Sequence, residues 1–421
     1  MKKIMNWVLT ATCFRGFAIC FRGFLILAIC GLTELSAQPT REQLAGIHVG
    51  KDGSFQYWNS DAASLAQLKT FVADVTTEGS DRFVPVRDRL AVFDMDGTLL
   101  CETAPFYMNW LVMLHRLLDD PGYTPTEELR AFGEAALEGM YNTQLIDREM
   151  DDRAQYVQAE IFKGLTMDEM DDWMRMFLEK PCEGLDGLTW GTALYWPMIE
   201  VVSYLVANGF QVYICSGTAQ DMIRPVIDGV LPIGRYQVMG SECHYVPEDK
   251  AEEFGWVTPV IMETYSFDDL KGQRTVRGLF RQKGTKWSKV DIMTRQLGQK
   301  PILTFGNSSG DYPMFEFVTQ GNRYPSMAFC LLCDDMEREL GNTAKADKCR
   351  RACEENGWVP VSMRDDWNTI YGPDVKPTTV TAVRSAGQAP LSKGRAYTTG
   401  GVPATRQTSG IVIEDGRKSV R

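Results

Sequence analysis

The sequence predicts an α/β fold, a Rossmann-like core with a parallel sheet and a helical cap inserted into it. Three observations carry that expectation. From residue 196 onward, short apolar runs alternate with segments of helical period. The runs LAVF (90–93), VYIC (212–215) and ILTF (302–305) each lead straight into a polar turn containing glycine. Between the first and second of these runs, residues 105–194 are dominated by helical spacing.

The elements follow in order. Residues 1–37 open with Lys2 and Lys3, contain the apolar run FLILAICGL and end in LSA before Gln38, the arrangement of an export signal cleaved after Ala37. An exported protein, periplasmic or secreted, starting near Gln38 is therefore expected. The apolar run is too short and interrupted for a membrane span. Residues 38–104 form an N-terminal segment and the first core strand: DAASLAQLKTFVADVT (61–76) reads as an amphipathic helix, and RLAVFDMDGTLL (89–100) as a buried strand entering a tight turn. In the cap, 105–194, FYMNWLVMLHRLL, TEELRAFGEAAL and MDEMDDWMRMFL read as helices whose Met, Trp and Phe stripes are first of all helix cores.

The rest of the core spans 195–372. WPMIEVVSYLVANGF is a helix ending at Gly209, QVYICSGT a strand and turn, and 235–282 a mixed stretch with hairpins. KWSKVDIMTRQLG is a helix with Ser288 and Asp291 placed as a capping box. PILTFGN is a strand, DYPMFEFV a helix and SMAFCLLCD a further strand. Residues 373–421, rich in Pro, Thr, Gly, Ser and Arg, read as a flexible tail.

Composition narrows the function. A chain of 421 residues, 44% apolar and 24% charged, can bury a substantial domain plus an insertion. Its net charge is −11, and the first 37 residues hold four basic side chains against one acidic, leaving −14 on the remainder. Such a surface repels phosphate backbones and argues against nucleic acid. Three of the eleven cysteines lie in the signal. Cys330-x-x-Cys333 and Cys349-x-x-x-Cys353 favour disulfides in an exported chain, with free thiols or zinc as the alternatives. Cys101 and Cys215 read as core.

The chemistry concentrates where strands end. In Asp94-Met95-Asp96-Gly97-Thr98, two carboxylates spaced i, i+2 can serve as nucleophile and as acid/base, although Asp-Gly alone is also turn chemistry. A carboxylate attacking a phosphate ester needs a cation to offset charge. Ser216-Gly217-Thr218 offers a hydroxyl and amides to a phosphate oxygen. A lysine opening the next helix, Lys286 or Lys289, would balance the negative groups. Last comes GNSSGD. Gly306-Asn307-Ser308-Ser309-Gly310 has the G-x-S-x-G form of a serine-hydrolase elbow, while Asn307 and Asp311 are oxygen ligands suited to a hard cation. The hydrolase triad runs Ser, acid, His, but the histidines, His48, His115 and His244, all precede Ser308. The acidic reading is the stronger.

Taken together, FDMDGT, CSGT, a lysine opening a helix and GNSSGD make residues 60–370 resemble the haloacid dehalogenase superfamily. FVADVTTEGSDRFVPVRDRLAVFDMDGTLLCE, YWPMIEVVSYLVANGFQVYICSGT and GNSSGDYPMF are most similar to its phosphoserine-phosphatase-like and secreted phosphorylcholine-phosphatase-like branch. The resemblance implies that Asp94 is a nucleophile forming an aspartyl phosphate. It also implies that Asp96 is the acid/base and lends its carbonyl to Mg²⁺, and that Thr98 orients the loop. Ser216 and the Gly217 amide would hold phosphate. Lys289 is preferred to Lys286 because it follows Ser288 and lies 18 residues before Asn307, room for one helix, a turn and a strand. The implied metal ligands are Asp94, Asp96, Asn307 and Asp311. Asn307 departs from the superfamily's usual Asp, keeping an oxygen and losing a charge. Glu102, eight residues after Asp94, suits an ammonium group such as that of phosphoserine, phosphoethanolamine or phosphocholine.

The function implied is Mg²⁺-dependent hydrolysis of a small phosphomonoester, with no nucleic-acid partner and no stable membrane span after signal removal. A phosphate-ester-binding protein without turnover and a phosphotransferase are the alternatives.

Overall fold

The computed structural model describes residues 38–141, 146–251, 266–373 and 375–378, together with four short strands between 396 and 420. The expected export signal, residues 1–37, lies outside the described residues.

Two helices, α1 (Arg41–Ala45) and α2 (Ala63–Thr76), precede the first core strand, β1 (Leu90–Phe93). Thr40 and Gln43 close a reciprocal capping box on α1. Helix α2 buries Leu65, Leu68, Phe71, Val72 and Val75, the apolar face its spacing predicts. Among the described residues of the segment read as a cap lie four α-helices, α3 (Met108–Leu114, continued by a π-helical turn, His115–Asp119), α4 (Glu127–Tyr141), α5 (Arg148–Glu160) and α6 (Met167–Leu178). Thr166 and Glu169 box the start of α6, whose Met170, Trp173, Met174 and Phe177 are buried.

After a two-residue strand, β2 (Leu185–Asp186), helix and strand alternate: α7 (Trp196–Ala207), β3 (Gln211–Ala219), α8 (Gln220–Ile227), β4 (Val238–Pro247), α9 (Phe267–Leu270), β5 (Thr275–Gln282) and α10 (Trp287–Leu297). The core closes with β6 (Leu303–Gly306), α11 (Tyr312–Thr319), β7 (Met327–Leu332), α12 (Thr343–Asn356) and β8 (Val359–Ser362).

Seven strands form one sheet in the order β5-β4-β3-β1-β6-β7-β8, the mainly parallel α/β core that the sequence predicts. Neighbours are parallel except β4 and β5. Parallel strands need crossover segments, and helices supply them. The chain adds β3 and β4 on one side of β1 and β6, β7 and β8 on the other, so a crevice opens at the carboxyl end of β1.

Register sets the geometry there. Phe93 lies opposite Phe305, and Phe305 opposite Phe329, with ring centroids stacked at 4.4 and 4.9 Å. This aromatic ladder levels three strand ends. Asp94 accordingly sits beside the start of the GNSSGD loop, its amide donating to the Phe305 carbonyl at 2.9 Å.

Several expectations need correction. Strand β3 continues through Ser216-Gly217-Thr218 to Ala219 instead of turning after Cys215. Its pairing with β4 shifts between Cys215 and Ala219, a local bulge that re-aims these side chains without ending the strand. The mixed stretch 235–282 contains the antiparallel pair β4–β5, and residues 252–265 lie outside the described residues. Helix α10 starts at Trp287, so Ser288 is already inside it and no capping box forms. Asp291 instead accepts hydrogen bonds from Gln282 and Arg295.

The disulfide expectation also changes, because Cys330, Cys333, Cys349 and Cys353 are free thiols. Cys333 donates to the Asn342 carbonyl and Cys349 to the Asn307 carbonyl, while Cys330, Cys349 and Cys353 pack in one apolar cluster.

Within the segment expected as a flexible tail, β9 (Lys376–Pro377) pairs with β2. Strands β10 (Ala396–Thr398), β11 (Pro403–Ala404), β12 (Ile411–Glu414) and β13 (Arg417–Val420) form an antiparallel sheet in the order β11-β10-β12-β13. The β-branched run Ile411-Val412-Ile413 is the local signal that overall composition concealed. Other residues between 379 and 421 lie outside the described residues. No described helix is long and apolar enough to cross a membrane.

Candidate active site

Asp94 leaves β1 buried at the carboxyl edge of the sheet. Lys289, in the first turn of α10, extends into the same space. Its Nζ donates to Asp94 Oδ1 at 2.5 Å and to Asp311 Oδ1 at 2.7 Å. Lys286 is exposed at the helix N-cap with φ 53°, so Lys289 is the lysine brought to the aspartates. Asp311 uses its second oxygen as a clasp: Oδ2 accepts from the amides of Asn307 and Ser308 at 3.0 and 3.1 Å and from Ser308 Oγ at 3.3 Å. Gly306 makes that clasp possible, since a Cβ there would lie 2.6 Å from Asp311 Cβ.

Asp96 is bound by the bulged part of β3. Thr218 Oγ1 donates to Asp96 Oδ2 at 2.7 Å and Ser216 Oγ at 3.3 Å, while Ser216 Oγ accepts from the Thr218 amide. The bulge is pinned from behind by Ser241, whose hydroxyl donates to the Gly217 carbonyl and accepts from the Gly284 amide. Gly217 borders open space, with nothing within 4 Å of a Cβ placed on it. Gly97 has φ 77°, and a Cβ there would fall 1.8 Å from Asn307 Nδ2. Only glycine fits both that backbone and that approach. Thr98 is buried with its hydroxyl unpartnered, and its amide closes the turn onto the Met95 carbonyl.

The structure thus brings Asp94, Asp96, Gly97, Ser216, Lys289, Asn307 and Asp311 together. Glu102 lies at the margin, paired with Lys345. Thr218 and Ser241 carry contacts that the sequence reading did not assign. The Thr218 hydroxyl belongs to the SGT motif, but Ser241 has no local signal. Ser308 spends its hydroxyl inside the loop, bonded to Asp311 and the Gly310 amide. His48 is bonded to Ser203, and His115 packs on Trp173 and Phe177, so neither serves Ser308.

The family model for haloacid dehalogenase-like hydrolases matches residues 91–316, more than half of the chain. The chain belongs to this family. No curated protein matches it. Among solved structures, a conserved, functionally unknown protein from Anaerococcus prevotii is 12% identical, with 73% of this chain and 94% of that one covered and a TM-score of 0.45. A protein of unknown function from Bordetella pertussis is 16% identical, covering 65% and 97%, with a TM-score of 0.39. A phosphoserine phosphohydrolase-like protein from Francisella tularensis is 17% identical, covering 58% and 87%, with a TM-score of 0.32. Likenesses this distant do not bear on substrate or mechanism.

In this haloacid dehalogenase-like hydrolase, the site carries surplus negative charge. Burial pushes Asp94 up to about 7, the Asp311 charge adds to that, and Lys289 opposes it. Burial likewise raises Asp96 to about 6, against the Thr218 hydrogen bond that favours its ionised form. Burial disfavours the Lys289 ammonium, yet Asp311 and Asp94 hold its pKa above the ordinary lysine value.

Two buried polar atoms at the centre lack partners, Asp96 Oδ1 and Asn307 Nδ2. Turning the Asn307 amide over would present its carbonyl oxygen at that position. Among the described residues no group of three His, Cys, Asp or Glu side chains has the spacing of a metal cage. The donors that are present, the carboxylates of Asp94, Asp96 and Asp311 with the Asn307 amide, offer hard oxygens. That set fits Mg²⁺, which commonly takes one or two carboxylates and completes its shell with water and substrate.

Proposed function

We propose that this chain is a Mg²⁺-dependent phosphomonoester hydrolase acting on a small metabolite through an aspartyl-phosphate intermediate. The observation that carries the reading is Lys289 bonded to both Asp94 and Asp311, with Asp96 alongside held by Thr218 and Ser216. Lys289 engages Asp94 Oδ1 and leaves Oδ2 to attack phosphorus in line. As the Asp94–phosphorus bond forms, the bond to the leaving oxygen breaks, and Asp96 donates its proton to that oxygen.

A carboxyl near 6 keeps a useful protonated fraction close to neutral pH. Asp96 then takes a proton from the water that attacks the acyl phosphate, releasing inorganic phosphate and restoring Asp94. The Ser216 hydroxyl and the Gly217 amide would hold non-bridging phosphate oxygens. Asp94, the Asp96 carbonyl, Asn307 and Asp311 would hold Mg²⁺, which when bound supplies charge neutralisation for the phosphate. The helices between β1 and β3 would limit access to small substrates and keep bulk water away from the intermediate. Export of the chain, starting near Gln38, belongs to the same proposal.

A phosphate-release screen tests it, run with and without Mg²⁺ over phosphorylated amino acids, aminoalcohols, sugars and nucleotides. Release that depends on Mg²⁺ and disappears in Asp94→Asn is the expected outcome. A panel in which no ester is hydrolysed would sink the proposal.

A further inference from the structure

Glu102 was expected to await an ammonium group from the substrate, yet the fold already supplies one. Lys345, in the first turn of α12, places Nζ 2.5 and 2.6 Å from the two Glu102 carboxylate oxygens. The Tyr107 hydroxyl donates to the same carboxylate at 3.2 Å. The pair lies beside the reacting groups: a Cβ on Gly97 would come within 3.2 Å of Glu102 Cβ, and the Glu102 charge acts on both Asp96 and Tyr107. It is not sealed off, because 16% of the Glu102 side chain and 23% of the Lys345 side chain remain accessible. Charge-assisted bonds of this length to both carboxylate oxygens are strong, and a mostly desolvated ion is costly to leave alone. A cationic leaving group would therefore have to displace Lys345 and strand its ammonium. An anionic or uncharged one would not.

We propose that Lys345 determines specificity at this site: by neutralising Glu102 it disfavours phosphomonoesters with a cationic leaving group and selects those whose leaving group is uncharged or anionic. The proposal rests on the phosphomonoesterase reading above.

Binding without turnover tests it separately from catalysis. In Asp94→Asn protein with Mg²⁺, calorimetry would compare phosphocholine, glycerol phosphate and phosphoglycerate, whose leaving groups are cationic, neutral and anionic. Against glycerol phosphate, Lys345→Met should strengthen phosphocholine binding by about tenfold and weaken phosphoglycerate binding by a similar factor. The double variant Glu102→Gln/Lys345→Met leaves no unpaired charge, so it provides the test if the single variant fails to fold. It should bind all three esters with little charge preference. Unchanged ratios in these variants, a preference for phosphocholine with Lys345 in place, or binding of none of the three would overturn the proposal. The hydrolase reading fails by a different sign, the absence of phosphate release from the native protein.

Discussion

Lys289 and Asp94 stand 195 residues apart in the chain and 2.5 Å apart in the fold. The contact exists because β1 and β6 end level, which sets Asp94 beside the loop whose Asp311 holds the other side of the same ammonium. One cation joins two carboxylates from two strand ends, and most of it is out of water.

Lys289→Met would leave Asp94 and Asp311 facing each other without a counter-charge. Breaking a buried ion pair from one side costs about 3–5 kcal/mol. The urea midpoint should drop accordingly at neutral pH and recover in part at lower pH, where a carboxyl proton relieves the repulsion. An unchanged midpoint would mean that the pair contributes little to the fold.

Asn307→Asp would add a fourth carboxylate to those of Asp94, Asp96 and Asp311. Metal affinity rises with the number of charged ligands, so calorimetric titration should show Mg²⁺ binding tighter by about tenfold. Metal-free protein should lose stability, since the added carboxylate meets surplus negative charge. Weaker Mg²⁺ binding would place the metal away from Asn307.

Four carboxyls are held up by burial: Asp94, Glu200 and Glu339 to about 7, and Asp96 to about 6. Between the unfolded carboxyl range of about 4 and these values, the folded chain binds more protons than the unfolded one. Their contribution to stability is therefore full at low pH and is lost as pH rises through that window. With a chelator present, the urea midpoint should fall from about pH 5 to about pH 8. Glu339→Gln keeps an acceptor for Tyr371 and should flatten the slope. A steeper slope in that variant would contradict the assignment.

Ser308→Ala tests the elbow-like reading of GNSSGD. The hydroxyl bonds within the loop, so its loss should cost about 1 kcal/mol in thermal unfolding and leave phosphate release nearly unchanged. Abolished turnover with intact folding would make Ser308 a reacting group after all.

The sheet and its site were legible for a shared reason. A buried strand leading into a chemically loaded polar segment is a local pattern, and FDMDGT, CSGT and GNSSGD each display one, although in CSGT the strand runs on through the motif to Ala219. Lys289 was harder, because the choice over Lys286 rested on distance to Asn307 and on a Ser288 cap that does not form. Lys289, 18 residues before Asn307, does reach the aspartates, while the helix begins at Trp287 with Lys286 as its cap residue.

Contacts set only by tertiary packing left no local trace. Lys345 reaches Glu102 across 243 positions, and Ser241 pins a bulge that no periodicity reveals. In the tail, Pro, Thr and Gly content outweighed the short run Ile411-Val412-Ile413 that pairs as a strand.

The proposed mechanism requires Asp94 to carry the phosphoryl group between substrate and water. Rapid acid quench during turnover with Mg²⁺, followed by mass spectrometry of the peptide containing Asp94, measures this directly. Covalent phosphate on Asp94 in the native protein, absent together with activity in Asp94→Asn, is the predicted result. Phosphate release that persists in Asp94→Asn would contradict the account.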